Sequence, residues 1–169
     1  MKFIRFVIIS ALTLFAIITA ISLFIPSHVR ISRAVNMHGR TEDIVNVIGN
    51  LNNWKYWYPG FDTTTLEPVT IKGNELTAAR VPSTTTSIEI TGRSANEITA
   101  EFKSAGNRTA VSGWKIITYP EKDSLTVQWY FDFRLRWAPW EKFLSLTYDK
   151  MYGTQMEQGL NNLKKNVER

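Results

Sequence analysis

LTVQWYFDFRLRW, residues 125–137, carries an apolar side chain at every odd position: Leu125, Val127, Trp129, Phe131, Phe133, Leu135 and Trp137. The even positions hold Thr126, Gln128, Tyr130, Asp132, Arg134 and Arg136. A period of two means a strand with one face buried and the other wet. Four of the seven inward positions are aromatic, so something large must lie against that face. The chain supplies a cover directly afterwards. Residues 140–169 read as an uninterrupted amphipathic helix, with Phe143, Leu146, Tyr152, Met156, Leu160, Leu163 and Val167 mostly three or four apart. Lys164, Lys165 and Arg169 stand at its C-terminal end, where cations suit the helix dipole. Gly153 and Gly159 lie inside it at a cost of about 1 kcal/mol each relative to alanine, which implies close approach of the sheet or of a ligand.

Upstream of this pair, residues 66–71, 75–81, 86–91, 97–103 and 109–119 are further strand-rich runs. Turn chemistry separates them at Lys72-Gly73-Asn74, Val81-Pro82-Ser83, 92–96, Gly106-Asn107 and 120–123. Hairpins in such regular succession predict an antiparallel sheet. A first strand is expected at 29–37, where Val29, Ile31, Val35 and Met37 share a face with Arg33 in the same phase. Arg33 is either an edge residue whose stem covers apolar surface while its head reaches water, or a buried cation that would receive an acidic ligand group. Thr41 is a good N-cap, Glu42 and Asp43 suit a first helical turn, and Ile44, Val47, Ile48 and Leu51 continue at helical spacing. In NWKYWYPGF, residues 53–61, Trp54 and Trp57 would share one side of a helical turn, serving the core or touching a ligand.

At the N-terminus, residues 6–25 are twenty consecutive residues without a charge, between Lys2 and Arg5 on one side and Pro26 on the other. As a helix they extend about 30 Å, the thickness of a bilayer core. A cleaved signal would have an apolar region of about 7 to 15 residues closed by a small-x-small site. Ala20 and Ser22 fit such a site weakly, but Leu23, Phe24 and Ile25 carry the apolar run past it. The reading is an uncleaved single-pass anchor with a short linker over residues 1–28 and a globular domain over 29–169. The short basic tail points to the cytoplasm and the domain to the other side, although Arg30, Arg33 and Arg40 nearly balance the charge bias.

Of the formal charge of +5, Lys2 and Arg5 supply two, and the remaining +3 is scattered along strands and helix ends. Arg134 and Arg136 read as a solvated strand face, so no clustered basic patch implies nucleic acid. Cysteine is absent, which excludes disulfides, thiolate nucleophiles and cysteine metal sites. Asn107-Arg108-Thr109 matches a glycosylation acceptor that would matter only in a eukaryotic secretory protein.

The order is strand, two short helices, about six antiparallel strands and a long C-terminal helix. It resembles the START-like (SRPBCC, Bet v 1-like) helix-grip superfamily, and within it the polyketide cyclase and lipid-transport group. The likeness rests on Arg33-Ala34-Val35-Asn36-Met37, the helix 44–48, and Asn53-Trp54 through Trp57-Tyr58-Pro59, similar to a W-x-x-W-x-P segment. It rests also on residues 140–143 with Gly153, Met156-Glu157, Leu160 and Leu163-Lys164, similar to G-x-x-x-E-x-x-L-x-x-L-K. The resemblance implies an α+β fold in which a curved antiparallel sheet wraps the long helix and encloses an elongated apolar cavity. It does not imply a reaction, because fold alone assigns none.

Catalysis at neutral pH needs a positioned acid, base, nucleophile or metal. The two histidines, His28 and His38, lie off the apolar faces, and neither a G-x-S-x-G nor a phosphate loop occurs. Asp132 and Glu101 fall on polar faces, while the inward candidates Arg33, Lys115, Tyr119 and Tyr152 make no acid and base pair. The reading therefore leans away from an enzyme and expects no cofactor and no metal. It favours a membrane-anchored domain that holds a hydrophobic or amphipathic, lipid-like molecule against Trp54, Trp57, Trp129, Phe131, Phe133, Trp137, Tyr152 and Met156. The other class open to it is a protein-interaction or assembly module whose cavity has filled with core, its partner unnamed by the sequence.

Overall fold

The computed structural model describes residues 2–82, 84–104, 108–119 and 124–168. The expected turns at Gly106-Asn107 and 120–123, Ser83, the acceptor Asn107 and the terminal Arg169 lie outside them. The chain runs α1 (Lys2–Ser22), β1 (His28–Met37), α2 (Thr41–Gly49), a 3-10 helix (Leu51–Tyr56), β2 (Glu67–Lys72), β3 (Glu75–Arg80), β4 (Ser87–Arg93), β5 (Glu97–Ser104), β6 (Arg108–Tyr119), β7 (Ser124–Arg134), α3 (Pro139–Ser145) and α4 (Tyr148–Val167).

The strands form one seven-stranded sheet in the order β1-β7-β6-β5-β4-β3-β2, with antiparallel neighbours throughout. Since β1 closes against β7, the hairpin succession is completed by one long-range pairing, Ile31 opposite Phe131 and Val35 opposite Val127. The sheet wraps α4, as a helix-grip fold requires. Along β7 the period of two holds: Leu125, Val127, Trp129 and Phe131 are buried, while Asp132 on the convex face receives two 2.6 Å hydrogen bonds from the Arg30 guanidinium. β2 is exposed along its length and carries Pro68, both tolerable at a sheet edge.

Four local expectations are corrected. First, β7 ends at Arg134 rather than at residue 137. Leu135 N–H still donates to Ser27 O at 2.8 Å, but the partner chain then reaches Pro26, and Arg136 N–H turns to Glu141 Oε2 at 3.0 Å. Second, the C-terminal helix is two helices. Leu146 and Thr147 N–H bond three residues back, to Phe143 and Leu144, and Thr147 Oγ1 also donates to Leu144 O at 2.7 Å, so the axis breaks. Phe143 and Leu146 consequently face outward instead of the core. Third, Thr41 is the first helical residue of α2, with Arg40 in the cap position and no side-chain cap. Fourth, the inward phase of β6 is Ser112, Trp114 and Ile116, which turns Lys115 and Tyr119 outward.

Arg33 does lie in the inward phase, and its charge is met by protein. It donates to Glu157 at 2.7 Å and to Asp149 at 3.1 Å, both on α4, with a quarter of its side chain still exposed. Gly153 stands between those two carboxylates on the helix, and a Cβ there would collide with the Arg33 guanidinium. The glycine thus serves packing of the sheet edge on α4. Gly159, six residues on, lets α4 approach the interior strand β7: an added Cβ there would sit 2.7 Å from Trp129 Cζ3 and 3.0 Å from Pro59 Cδ.

Candidate functional site: an aromatic cluster between sheet and helix

The residues expected to line a binding site divide into three groups. Trp54, Trp57, Trp129 and Met156 are fully buried. Asn50 starts the 3-10 helix, its side chain accepting from Asn52 N–H and Leu76 N–H at 3.1 Å, and the turn drives Trp54 and Trp57 into the sheet. There they meet Trp114 and Trp129 with ring centroids 5.4–5.9 Å apart, a spacing at which rings interlock. Trp54 Nε1 donates to Ile48 O and Trp129 Nε1 to Ser112 Oγ, each at 2.7 Å, whereas the buried Trp57 and Trp114 indole N–H groups have no partner. The deep half of the space between sheet and helix is therefore solid.

The second group, Phe131, Phe133 and Tyr152, lies toward the α3 end of α4 and is less enclosed. Phe133 and Tyr152 keep part of their surface open, as do Tyr58, Phe61, Phe102 and Tyr148, which pack beside them. Tyr152 is 4.9 Å from Phe133 and 5.9 Å from Phe131, Tyr148 is 4.8 Å from Phe133, and Tyr58 is 5.1 Å from Trp129. Opposite these rings the sheet presents small side chains: Ala110 pairs with Phe133 and Phe102, and Ser112 with Phe131 and Ala100. The rings of this end pack in contact with one another, Phe131 buried and Phe133, Tyr148 and Tyr152 partly exposed, so the cluster meets the surface here.

The third group is Trp137 alone. It lies beyond β7 and is 71% exposed, away from the other candidates, because the strand ends three residues earlier.

Tyr58, Phe102 and Tyr148 are members of this cluster that sequence reasoning did not place among the candidate residues. Phe102 alternates with Ala100 on β5, a period-of-two signal that was available; Tyr58 and Tyr148 depend on how the 3-10 turn and α4 meet. Burial pushes the Tyr58 phenol well above its ordinary value, with Tyr152 adding to the shift. Tyr152 is raised by burial and then by Tyr148. These phenols stay neutral at physiological pH, so they can offer hydrogen bonds but no charge. The nearby carboxylates Asp149 and Glu157 are engaged by Arg33. Among the described residues no three histidine, cysteine or carboxylate side chains gather as a metal site.

Two hollows open on the surface: one of about 260 Å³ on the far side of Trp57 and Tyr58, bordered by them with Tyr56, Asp62, Gln158 and Asn162, and one of about 430 Å³ bordered by Thr41, Glu42, Val45, Asn46 and Ala95.

The profile of the family described as polyketide cyclase / dehydrase and lipid transport matches residues 28–168. Among curated proteins none matches the chain. Solved structures share the fold at low identity. A START superfamily protein from Mycobacterium smegmatis superposes with a TM-score of 0.57 at 15% identity, over 82% of this chain and 97% of that one. A protein from Nitrosospira multiformis gives 0.61 at 10% identity, over 82% and 96%. The di-domain ARO/CYC StfQ from the steffimycin biosynthetic pathway gives 0.59 at 10% identity, over 83% of this chain and 51% of that one.

Proposed function

This chain belongs to the polyketide cyclase / dehydrase and lipid transport family, and on that premise we propose that it is a membrane-anchored, non-catalytic receptor for a hydrophobic or amphipathic small molecule. The observation that carries the reading is the partly exposed aromatic cluster of Phe133, Tyr148, Tyr152, Phe102 and Tyr58 between the sheet and α4, beside the small sheet residues Ala110 and Ser112. Binding sites are mostly apolar with a few polar anchors, and here neutral phenols would supply those anchors. In this reading Phe131, Phe133 and Tyr152 touch the ligand, while Trp54, Trp57, Trp129 and Met156 form a rigid inner wall behind it.

The anchor is α1, 21 residues long and free of charge beyond Arg5. At 1.5 Å per residue it is about 31 Å long, enough to cross a hydrocarbon core. Residues 1–28 would hold the domain at the bilayer, where apolar ligands concentrate, with the N-terminal tail cytoplasmic and residues 29–169 on the other side. The full chain, purified in mild detergent, is expected to retain an apolar species of defined mass in native mass spectrometry. Phe133→Ser should release it while melting changes little. A wild-type protein free of any such species, or a loss of about 3 kcal/mol or more in the variant, would mark Phe133 as ordinary core and remove the receptor reading.

A second reading, an assembly module with a filled interior, is favoured by the four interlocked tryptophans of the deep half. It requires a defined protein cross-link in membranes that persists in Phe133→Ser.

A further inference from the structure

α3 is amphipathic in the wrong sense for a soluble protein. Its buried residues are Pro139, Lys142 and Ser145, spaced by three on one face, while Trp140, Phe143 and Leu144 point away from the protein. Lys142 is only 5% exposed, yet Trp140 is 61% exposed, and Trp137 and Leu146 on either side of the helix are 71% and 68% exposed. An apolar patch of this kind, built from rings and leucines with the cation turned inward, marks a surface meant to be covered.

Its place in the fold says by what. The buried face of α3 packs against the C-terminal end of α1. Lys142 Nζ donates to Ile25 O at 3.0 Å, in the turn that closes the C-terminal end of α1, where the helix dipole favours a cation. Ser22, the last residue of α1, is completely enclosed, and the next two residues, Leu23 and Phe24, are exposed apolar side chains. Since α1 is just long enough to cross a bilayer core, its end lies at the bilayer surface, and a helix clasped to that end lies at headgroup depth. Tryptophan rings prefer that depth, apolar body toward the chains and N–H toward water.

We propose that α3 and its flanks form an interfacial wedge, with Trp137, Trp140, Leu144 and Leu146 seated in the same bilayer that α1 spans. The inference rests on the anchoring half of the functional reading above. It adds that the domain lies on the membrane in a fixed pose instead of swinging from a tether. Because α3 leads through the Leu146-Thr147 break directly into Tyr148 and Tyr152, the pose sets the partly exposed aromatic cluster beside the lipid.

The full chain is reconstituted into phosphatidylcholine vesicles whose acyl chains are brominated near the headgroup, and into unbrominated vesicles as reference. Of the six tryptophans, Trp54, Trp57, Trp114 and Trp129 are buried inside the domain and shielded from lipid. Bromolipid is expected to remove up to about a third of the emission, the share of two rings at the interface. W137F/W140F, conservative at two exposed positions, should abolish that quenching. Flotation with the vesicles but no quenching of the wild type overturns the wedge and leaves the anchor standing. If cross-linking from position 140 then joins two chains, a second copy covers the face instead. Equal quenching in wild type and W137F/W140F also overturns it, since other rings would be reaching lipid. Failure to float removes the anchor, and the wedge with it.

Discussion

Replacing Gly159 by alanine tests whether α4 is pressed onto the sheet as closely as the packing requires. At an exposed helical position the change would stabilise by about 1 kcal/mol, because glycine disfavours helix. Here the new methyl would sit 2.7 Å from Trp129 Cζ3 and 3.0 Å from Pro59 Cδ, and something must shift. Trp129 cannot yield easily. Its indole N–H is tied to Ser112 Oγ at 2.7 Å, and its ring touches Trp57, Tyr58, Trp114 and Phe131 at centroid distances of 5.1–5.8 Å. Pro59 is a stiff ring. Overpacking in such a place costs about 1–3 kcal/mol, and both neighbours are rigid, so the upper part of that range applies. After the propensity gain the net loss is about 1–2 kcal/mol, which lowers the melting temperature of a chain of this size by about 2–8 °C. The assay is thermal unfolding of the full chain in detergent, followed by near-ultraviolet circular dichroism, which reports the tryptophan cluster directly. A melting temperature equal to or above that of the wild type would refute the close contact, and with it the account of why glycine stands at this position.

Three further outcomes follow from the same geometry. Ser112→Ala removes the acceptor of the buried Trp129 N–H and should cost about 1–3 kcal/mol in equilibrium unfolding, the desolvation penalty of an orphaned donor. Arg33→Met should cost less than about 1 kcal/mol, since both its carboxylate partners are mostly exposed, and the difference from wild type should shrink in about 1 M salt. The hydrogen-bonded Arg30 guanidinium holds the Asp132 carboxyl below its ordinary value, so this pair contributes in full above about pH 4 and is lost as pH falls through the lowered folded-state value. Asp132→Asn should therefore melt below the wild type at pH 7, by the equivalent of about 1 kcal/mol or less, and the two melting curves should converge in acid.

Much of the fold is legible in the residues because its signals are local. The alternation along 125–137, the hairpin turns, the helical spacing from Tyr152 to Val167 and the uncharged N-terminal run each depend only on near neighbours. Their order suffices for a sheet gripping a helix. Local periodicity also misled where a neighbour's chain path intervened: β7 stops at Arg134 because its partner runs out at Pro26, and the helix breaks at Leu146-Thr147, which sends Trp137, Phe143 and Leu146 outward.

The sequence by itself determined which faces are apolar, how many strands alternate and which segment is long and greasy enough to cross a bilayer. Only the tertiary structure decided how those faces are used. Whether aromatic rings are buried or left at the surface depends on the mutual placement of β5–β7, the 3-10 turn and α4, elements up to a hundred residues apart. Trp54, Trp57 and Trp129 thus became buried core, while Phe133 and Tyr152 stayed partly exposed at its margin. The partners of Arg33 and of Lys142 more than a hundred residues away, and the outward turn of α3 beside the end of α1, are settled by that same assembly, in which no residue's own pattern names its neighbour.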